Sequence, residues 1–222
     1  MDSVLLIGGG GHAKAIIEII TMRKEYHIVG ISDNNSGKKG KLISGVPIIG
    51  DDENLQACFQ KGIKRAFITL GTVADTRARI KLYMMIKEIG FELINVIHPS
   101  AIIAHSLTMG SGNALMAGSI INAYSAIGNN CIINTGAIIE HDCVIEDHVH
   151  IATGAKLAGN VKVKEGAHIG IGAIVKQGVT IGRHSIVGAG AVVLEDIPDN
   201  VVCAGIPARV IKRFVDSEIH RN

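Results

Sequence analysis

An aliphatic residue or methionine occupies every sixth position of the chain from Ile97 to Val193. The ladder reads Ile97, Ile103, Met109, Leu115, Ile121, Ile127, Ile133, Ile139, Ile145, Ile151, Leu157, Val163, Ile169, Val175, Ile181, Val187 and Val193. About a third of the residues are Val, Ile, Leu or Met, so chance would fill this register with odds on the order of 10⁻⁸. A second ladder runs two residues ahead of the first. From Ser125 to Ala191 it reads Ser, Cys, Ala, Cys, Val, Ala, Val, Ala, Ala, Val, Ser, Ala. One large and one small inward residue per hexad marks a parallel β-helix, in which three hexads close one triangular coil. At about 4.8 Å per layer the ladder predicts a prism roughly 27 Å long.

The region before the ladder has a different rhythm. Ser3–Ile7 is a continuous aliphatic run, Gly8–Gly11 a turn, and His12–Met22 carries helical spacing through Ala13, Ile16, Ile17 and Ile20. His27–Ile31, Val46–Ile49 and Arg65–Leu70 read as strands, with helices expected over Glu53–Gln60, capped by Asp51 or Asp52, and over Val73–Ile89. Strand–helix alternation predicts a small parallel α/β domain. The organisation expected is therefore an α/β domain over 1–96, a β-helix over 97–206 and a tail over 207–222, with Pro198–Asn222 folding over the far end of the coil.

Composition excludes several function classes. A net charge of +2 gives no electrostatic footprint for nucleic acid or an anionic membrane. No apolar stretch approaches about eighteen residues, and the opening VLLIGGGG lacks the basic flank and cleavage site of a secretory leader. Cys58, Cys131, Cys143 and Cys203 form no CxxC pair, and Cys131 and Cys143 fall in small inward slots as buried apolar thiols. A cytoplasmic location is expected.

Three further motifs carry a resemblance. The chain closes its hexads with Gly205-Ile206-Pro207-Ala208-Arg209, opens with Gly8–Lys14 (GGGGHAK), and carries His141-Asp142-Cys143 in the ladder. With these it resembles the PglD/NeuD-type sugar acetyltransferases of the hexapeptide-repeat acyltransferase superfamily, over nearly its whole length. The resemblance implies a left-handed β-helix, acetyl-CoA as co-substrate, a nucleotide-linked sugar as acceptor, no metal, and a homotrimer with active sites between subunits.

The residues themselves give the candidate chemistry. His141 follows inward Ile139 by two positions, so it is expected at an outward corner, where an imidazole can act as general base. Asp142 can hold its tautomer. The best-known members carry Glu at that position, and Glu140 is a second carboxylate within reach. His105, His148, His184 and His220 read as exposed turn histidines. By resemblance, His150 contacts the thioester carbonyl, Asn134 the acceptor, and Ile171 and Ala189 the CoA. Lys176, Arg183 or Arg209 could meet the CoA phosphates. The glycine turn ends in a helix, whose first amides suit a diphosphate. By resemblance Gly10, Gly11, His12, Asp33, Asn34 and Gly71 hold the nucleotide sugar, and the loop around Lys38–Lys41 shapes sugar specificity.

Other readings compete with this one. The same fold and histidine could acetylate a sugar hydroxyl, as in sialic acid modification. Gly8-x-Gly10-x-x-Ala13 with Asp33 is a partial dinucleotide fingerprint, which would suit a nicotinamide oxidoreductase, but no second half for the nicotinamide is visible. A β-helix can also be a non-catalytic scaffold or a zinc-dependent γ-type carbonic anhydrase, and His141 and His150 lack a convincing third ligand for the latter.

Overall fold

The computed structural model describes residues 1–72 and 76–214. The chain divides into two compact units, Met1–Thr72 with Arg77–Pro99 in one, and the coil from Ser100 onward in the other. No helix among the described residues is long and apolar enough to cross a membrane.

The first unit is a twisted sheet with helices. Its elements are β1 (Asp2–Ile7), α1 (Gly11–Arg23), β2 (Tyr26–Ser32), β3 (Leu42–Ile43), β4 (Val46–Gly50), α2 (Leu55–Gln60), β5 (Arg65–Ile68), α3 (Arg77–Ile89) and β6 (Glu92–Leu93). The sheet order is β3-β4-β2-β1-β5-β6. All pairs are parallel except β3 with β4. β1 is central, and Val4, Leu5, Leu6 and Ile7 are fully buried, as a strand covered on both faces requires. α1 buries Ala13, Ile16, Ile17, Ile19 and Ile20 and stops at Lys24, which turns left-handed (φ 56°) and returns its N–H to the Ile20 carbonyl.

Two helices depart from the sequence reading. The one expected at Glu53 begins as a 3₁₀ turn over Asp52–Asn54, and α2 proper starts at Leu55. Asp51 makes no cap bond to the backbone there, because its carboxylate accepts the Asn54 side-chain amide (2.8 Å). The helix expected from Val73 starts at Arg77, and residues 73–75 of that expectation lie outside the described residues.

The second unit is a left-handed parallel β-helix. Two-residue strands stack with an eighteen-residue offset on three faces. One face carries Ile102, Ile120, Ile138, Lys156, Ile174 and Val192 in outward positions. A second carries Thr108, Ala126, Val144, Lys162 and Thr180. The third carries Ala114, Ile132, His150, His168 and Ile186, and continues into Val201–Gly205. Both inward ladders are buried from Ser125 to Val193, while Ile97, Ile103 and Met109 are half-buried. The polar slots of the small ladder are not wasted. Ser125, Cys131 and Cys143 each point a donor at the carbonyl fifteen residues ahead, on Glu140, Glu146 and Ala158. Desolvation raises the Cys143 thiol pKa, so it stays a neutral donor.

A third period accompanies the two hydrophobic ladders. Every sixth residue from Gly112 to Gly190 has a left-handed backbone. Glycine fills most of these corners, and Asn130, Asp142, His148, Asn160 and His184 fill others, residue types that tolerate this region. Tyr124 is the one that does not fit the rule. At the C-terminal end, Ala208–Arg213 folds back antiparallel on Val201–Gly205. Residues 215–222 of the expected tail lie outside the described residues.

Candidate active site

In the α/β unit a cleft of about 700 Å³ opens where β1, β2 and β5 end. Its lining includes Ile7, Gly8, Ser32, Asp33, Asn34, Asp52, Leu70 and Lys81. β2 and β5 flank β1 on opposite sides, so the chain reverses its winding direction there, the place where open α/β sheets bind ligands. Gly8 (φ 106°) makes the turn out of β1, and a side chain on it would press on the Leu70 backbone at 3.0 Å. Gly10 and Gly11 have open space beside them. α1 begins there without a side-chain cap or an acidic residue in its first turn, which leaves the positive end of its dipole uncompensated.

Of the residues expected here, Asp33 and Asn34 line the cleft, in roles the spacing did not reveal, whereas Gly10, Gly11, His12 and Gly71 lie outside its lining and Gly11 borders a separate groove with Lys14, Ala15 and Ser44. Asp33 lies just past β2 and braces the glycine turn. Its Oδ2 accepts the Gly9 N–H (2.6 Å) and the Lys38 ammonium (3.1 Å), and its Oδ1 accepts the Asn35 N–H (2.9 Å). Burial works to raise the Asp33 pKa, but the two amides and Lys38 together hold it below the usual carboxylate range. Lys38 also donates to the Gly9 carbonyl (3.2 Å), so it belongs to this brace. Asn34 pairs reciprocally with Asp52. Its amide nitrogen donates to Oδ2 (2.5 Å), its oxygen accepts the Asp52 N–H (2.9 Å), and the Ser32 hydroxyl holds Oδ1 (3.1 Å).

His12 packs beside Gly71, whose Cα side faces the His12 Cβ. Burial, with the positive charge of Arg79 adding to it, lowers the His12 pKa to about 4. Its Nε2 is buried with no hydrogen-bond partner among the described residues. Arg79 is itself buried on α3 and donates to the Ile68 and Leu70 carbonyls (2.7 and 2.8 Å) at the end of β5. Sequence reasoning missed Arg79 and Asp52, because an Arg in a helical pattern and an Asp before a helix both read as ordinary surface residues.

In the coil, His141 and Asp142 share one corner. His141 Nδ1 lies 2.7 Å from Asp142 Oδ2. Asp142 is left-handed (φ 60°), and its N–H is tied to the Ala123 carbonyl of the preceding coil. Glu140 turns away, its Oε2 accepting the Asn122 side-chain amide (3.0 Å). The choice between the two carboxylates thus falls to Asp142. With the proton on Nδ1 donated to Asp142, Nε2 is left as the acceptor that a general base needs. The imidazole is about half exposed and open to a substrate.

His150 sits on a different face. It is buried, its Nε2 lies 3.3 Å from the Asn134 amide nitrogen, and its ring meets His168 edge-on with centroids 4.8 Å apart. Desolvation lowers the His168 pKa. Ile171 and Ala189 stand exposed at the corner that follows the His150 face, stacked in successive coils. The structure therefore brings Asn134 to His150 and Ile171 to Ala189. Within one chain the His141 corner is opposite the face that carries His150. His148, expected as an exposed turn residue, is buried and paired with the Asn130 side chain (3.0 Å). His220 lies outside the described residues. Among the described residues no cluster of His, Cys, Asp or Glu is arranged to hold a metal ion.

Residues 3–86 match the family model of the PglD N-terminal domain, and residues 124–159 and 160–195 each match the bacterial transferase hexapeptide (six repeats) model. Among solved structures, the chain is 42% identical to a histidine-to-asparagine mutant of perosamine N-acetyltransferase from Caulobacter crescentus in complex with CoA and GDP-perosamine, with a TM-score of 0.89 over 96% of this chain and 98% of that one. It is 33% identical to the acetyltransferase domain of PglB from Neisseria gonorrhoeae in complex with acetyl coenzyme A, with a TM-score of 0.87 over 94% and 98%. WeeI from Acinetobacter baumannii is 25% identical, with a TM-score of 0.80 over 95% and 100%. An uncharacterised protein of Acanthamoeba polyphaga mimivirus is 34% identical over 126 residues, and that stretch spans only 24% of its length.

Proposed function

This chain belongs to the PglD-type sugar acetyltransferases of the hexapeptide-repeat superfamily, and we propose that it transfers the acetyl group of acetyl-CoA to the amino group of a nucleotide-linked amino sugar. The observation that carries the reading is the His141–Asp142 pair, a base with its tautomer fixed at an open corner of an acyltransferase coil. The acceptor nitrogen attacks the thioester carbonyl, and His141 Nε2 takes the proton it sheds. As the C–S bond breaks, the same proton returns to the leaving thiolate, giving the amide and free CoA. Asp142 stabilises the imidazolium formed between the two transfers.

The nucleotide is assigned to the cleft at the end of β1, its diphosphate toward the amides of Gly10, Gly11 and His12. Asp33 and Asn34, by bracing the turn and Asp52, shape that cleft, and Gly71 leaves room for His12. Acetyl-CoA is assigned to the corner bearing Ile171 and Ala189, with His150 and Asn134 toward its thioester end and the acceptor. The His141 corner and the Ile171 corner meet only across a subunit boundary. The face between them presents Ile102, Ile120, Ile138, Lys156, Ile174 and Val192 outward, aliphatic at every layer but that of Lys156, and Ile102 is 61% exposed. Three prisms packed by this aliphatic face around a three-fold axis would set the His141 corner of one against the Ile171 corner of the next. We therefore propose a cyclic homotrimer. Free cysteines and acetyl-CoA as donor both suit the cytoplasm.

The test is purified protein with acetyl-CoA and a panel of GDP-, UDP- and dTDP-linked amino sugars, scored by thiol release and product mass. Acetylation of one amino sugar is expected. Transfer to free sialic acid with none to the panel would replace the amine by a hydroxyl acceptor.

A further inference from the structure

His141 does not stand free on its corner. The position beneath it in the next coil, eighteen residues on, is Gly159, and the Asn160 N–H ties that turn to the His141 carbonyl (2.8 Å). A Cβ placed on Gly159 would lie 2.6 Å from His141 Cε1, 2.7 Å from Nε2 and 3.2 Å from Nδ1. The imidazole therefore lies on the bare backbone of Gly159, which it buries.

The backbone does not demand glycine there. The turn glycines Gly154, Gly172, Gly178 and Gly190 are left-handed, with open space where a Cβ would go. Gly159 is the reverse case. Its φ lies outside the left-handed region, and its missing side chain is replaced by a ring. Gly166 has a histidine ring over it as well, that of His184, but Gly166 also has φ 67° and so a conformational reason of its own. The same corner elsewhere in the coil accepts Ala123 and Gln177.

We propose that Gly159 is a positioning residue for His141, a flat seat that sets the direction of Nε2 while Asp142 holds Nδ1. The inference deepens the acetyltransferase reading and rests on it for its kinetic consequence. Carbon atoms in contact settle at about 3.5–4.0 Å, so a methyl at 159 would push the Cε1–Nε2 edge outward by about 1 Å. That swing also draws Nδ1 away from its 2.7 Å bond to Asp142. Misplacing a reacting group by about 1 Å costs on the order of 10²-fold in rate.

The experiment is Gly159→Ala in two backgrounds, wild type and His141→Ala, with steady-state kinetics, melting temperature and ¹⁵N spectra of the histidine rings. In the wild type, kcat should fall on the order of 10²-fold with KM for acetyl-CoA little changed. The His141 ring resonances should shift toward a mixed tautomer. In the His141→Ala background the methyl has room, so Gly159→Ala should cost no further activity and should not lower the melting temperature. A merely structural glycine would lower it equally in both backgrounds, and that result would overturn the proposal. So would a Gly159→Ala enzyme with wild-type kcat and unshifted His141 resonances. The ring spectra need no acceptor, so they decide the seating of His141 even if the wild type acetylates none of the sugars offered.

Discussion

The two units build their sites by opposite means. In the coil, position follows from arithmetic. His141, Gly159 and Gln177 stack because they are eighteen residues apart, and Ile171 and Ala189 stack for the same reason. In the α/β unit, Gly9, Asp33, Asn34 and Asp52 meet because separate strand ends converge, and their polar groups satisfy one another. A repeat can therefore lose one side chain without moving its neighbours, whereas the cleft is a network in which each member positions the next.

The sharpest test of the coil's side of this contrast is His141→Ala. It should lower kcat by ~10²–10⁴ while leaving acetyl-CoA binding nearly intact, because the ring is assigned the acceptor's proton rather than a hold on CoA. Isothermal titration with CoA beside the kinetics separates the two effects. A mutant with near wild-type kcat would remove the base from the mechanism. Next in size is the core. Ile151 is fully buried in the large inward slot, and Ile151→Ala should destabilise the fold by about 2–5 kcal/mol in denaturant melts. A smaller loss would mean that adjacent coils close over the gap, and the repeat would be softer than its packing implies.

How much of this was legible depends on period. The large and small ladders were plain because burial acts on every coil alike, and they put Cys131, Cys143 and the His141 corner where the structure has them. The left-handed ladder was equally periodic but easily passed over, since Gly, Asn, Asp and His share a backbone tolerance rather than a hydropathy. That is why His148 looked like an exposed turn residue, when it is a corner residue bonded to Asn130. The ring of His141 leaning on Gly159 has no sequence signal, because a rotamer decides it. Asp33 was found by its place after β2, but its work as a brace for Gly9 was not, because that bond spans 24 residues. Nor was Arg79, whose carbonyl partners lie one strand away.

A histidine held neutral in each unit offers a smaller test of the same contrast. His12 has a folded pKa of about 4 against an ordinary value of 6.5, because burial and Arg79 oppose its charge. The unfolded chain takes up a proton that the native state refuses. Its contribution is therefore whole above pH 6.5 and is lost as the pH falls toward 4. Each tenfold weakening of proton binding corresponds to about 1.4 kcal/mol, so the loss across that window comes to about 3 kcal/mol. The His168 pKa in the coil is lowered in the same direction, through burial alone. His12→Asn should flatten most of the acid slope in urea melts between pH 6.5 and 4, and His168→Asn a lesser part. If neither variant changes the slope, carboxylates rather than these histidines govern acid stability.

The smallest expected effect concerns Tyr124, which breaks the coil's own corner rule. It is left-handed (φ 58°) and 74% exposed, at the corner one coil before Asp142. A tyrosine in that conformation carries a steric cost of roughly 1–2 kcal/mol that glycine avoids, while glycine returns part of the gain as unfolded-state entropy. Being so exposed, the ring has little packing to set against this. Tyr124→Gly should therefore stabilise the protein by about 1 kcal/mol or less, seen as a modest rise in melting temperature. A fall would show that the ring is held by contacts absent from a single chain. The aliphatic face ends at this same corner, so a fall that grows on dilution would place those contacts between subunits. Tyr124 would then join the one region where the coil, like the cleft, depends on a neighbour it does not carry in sequence.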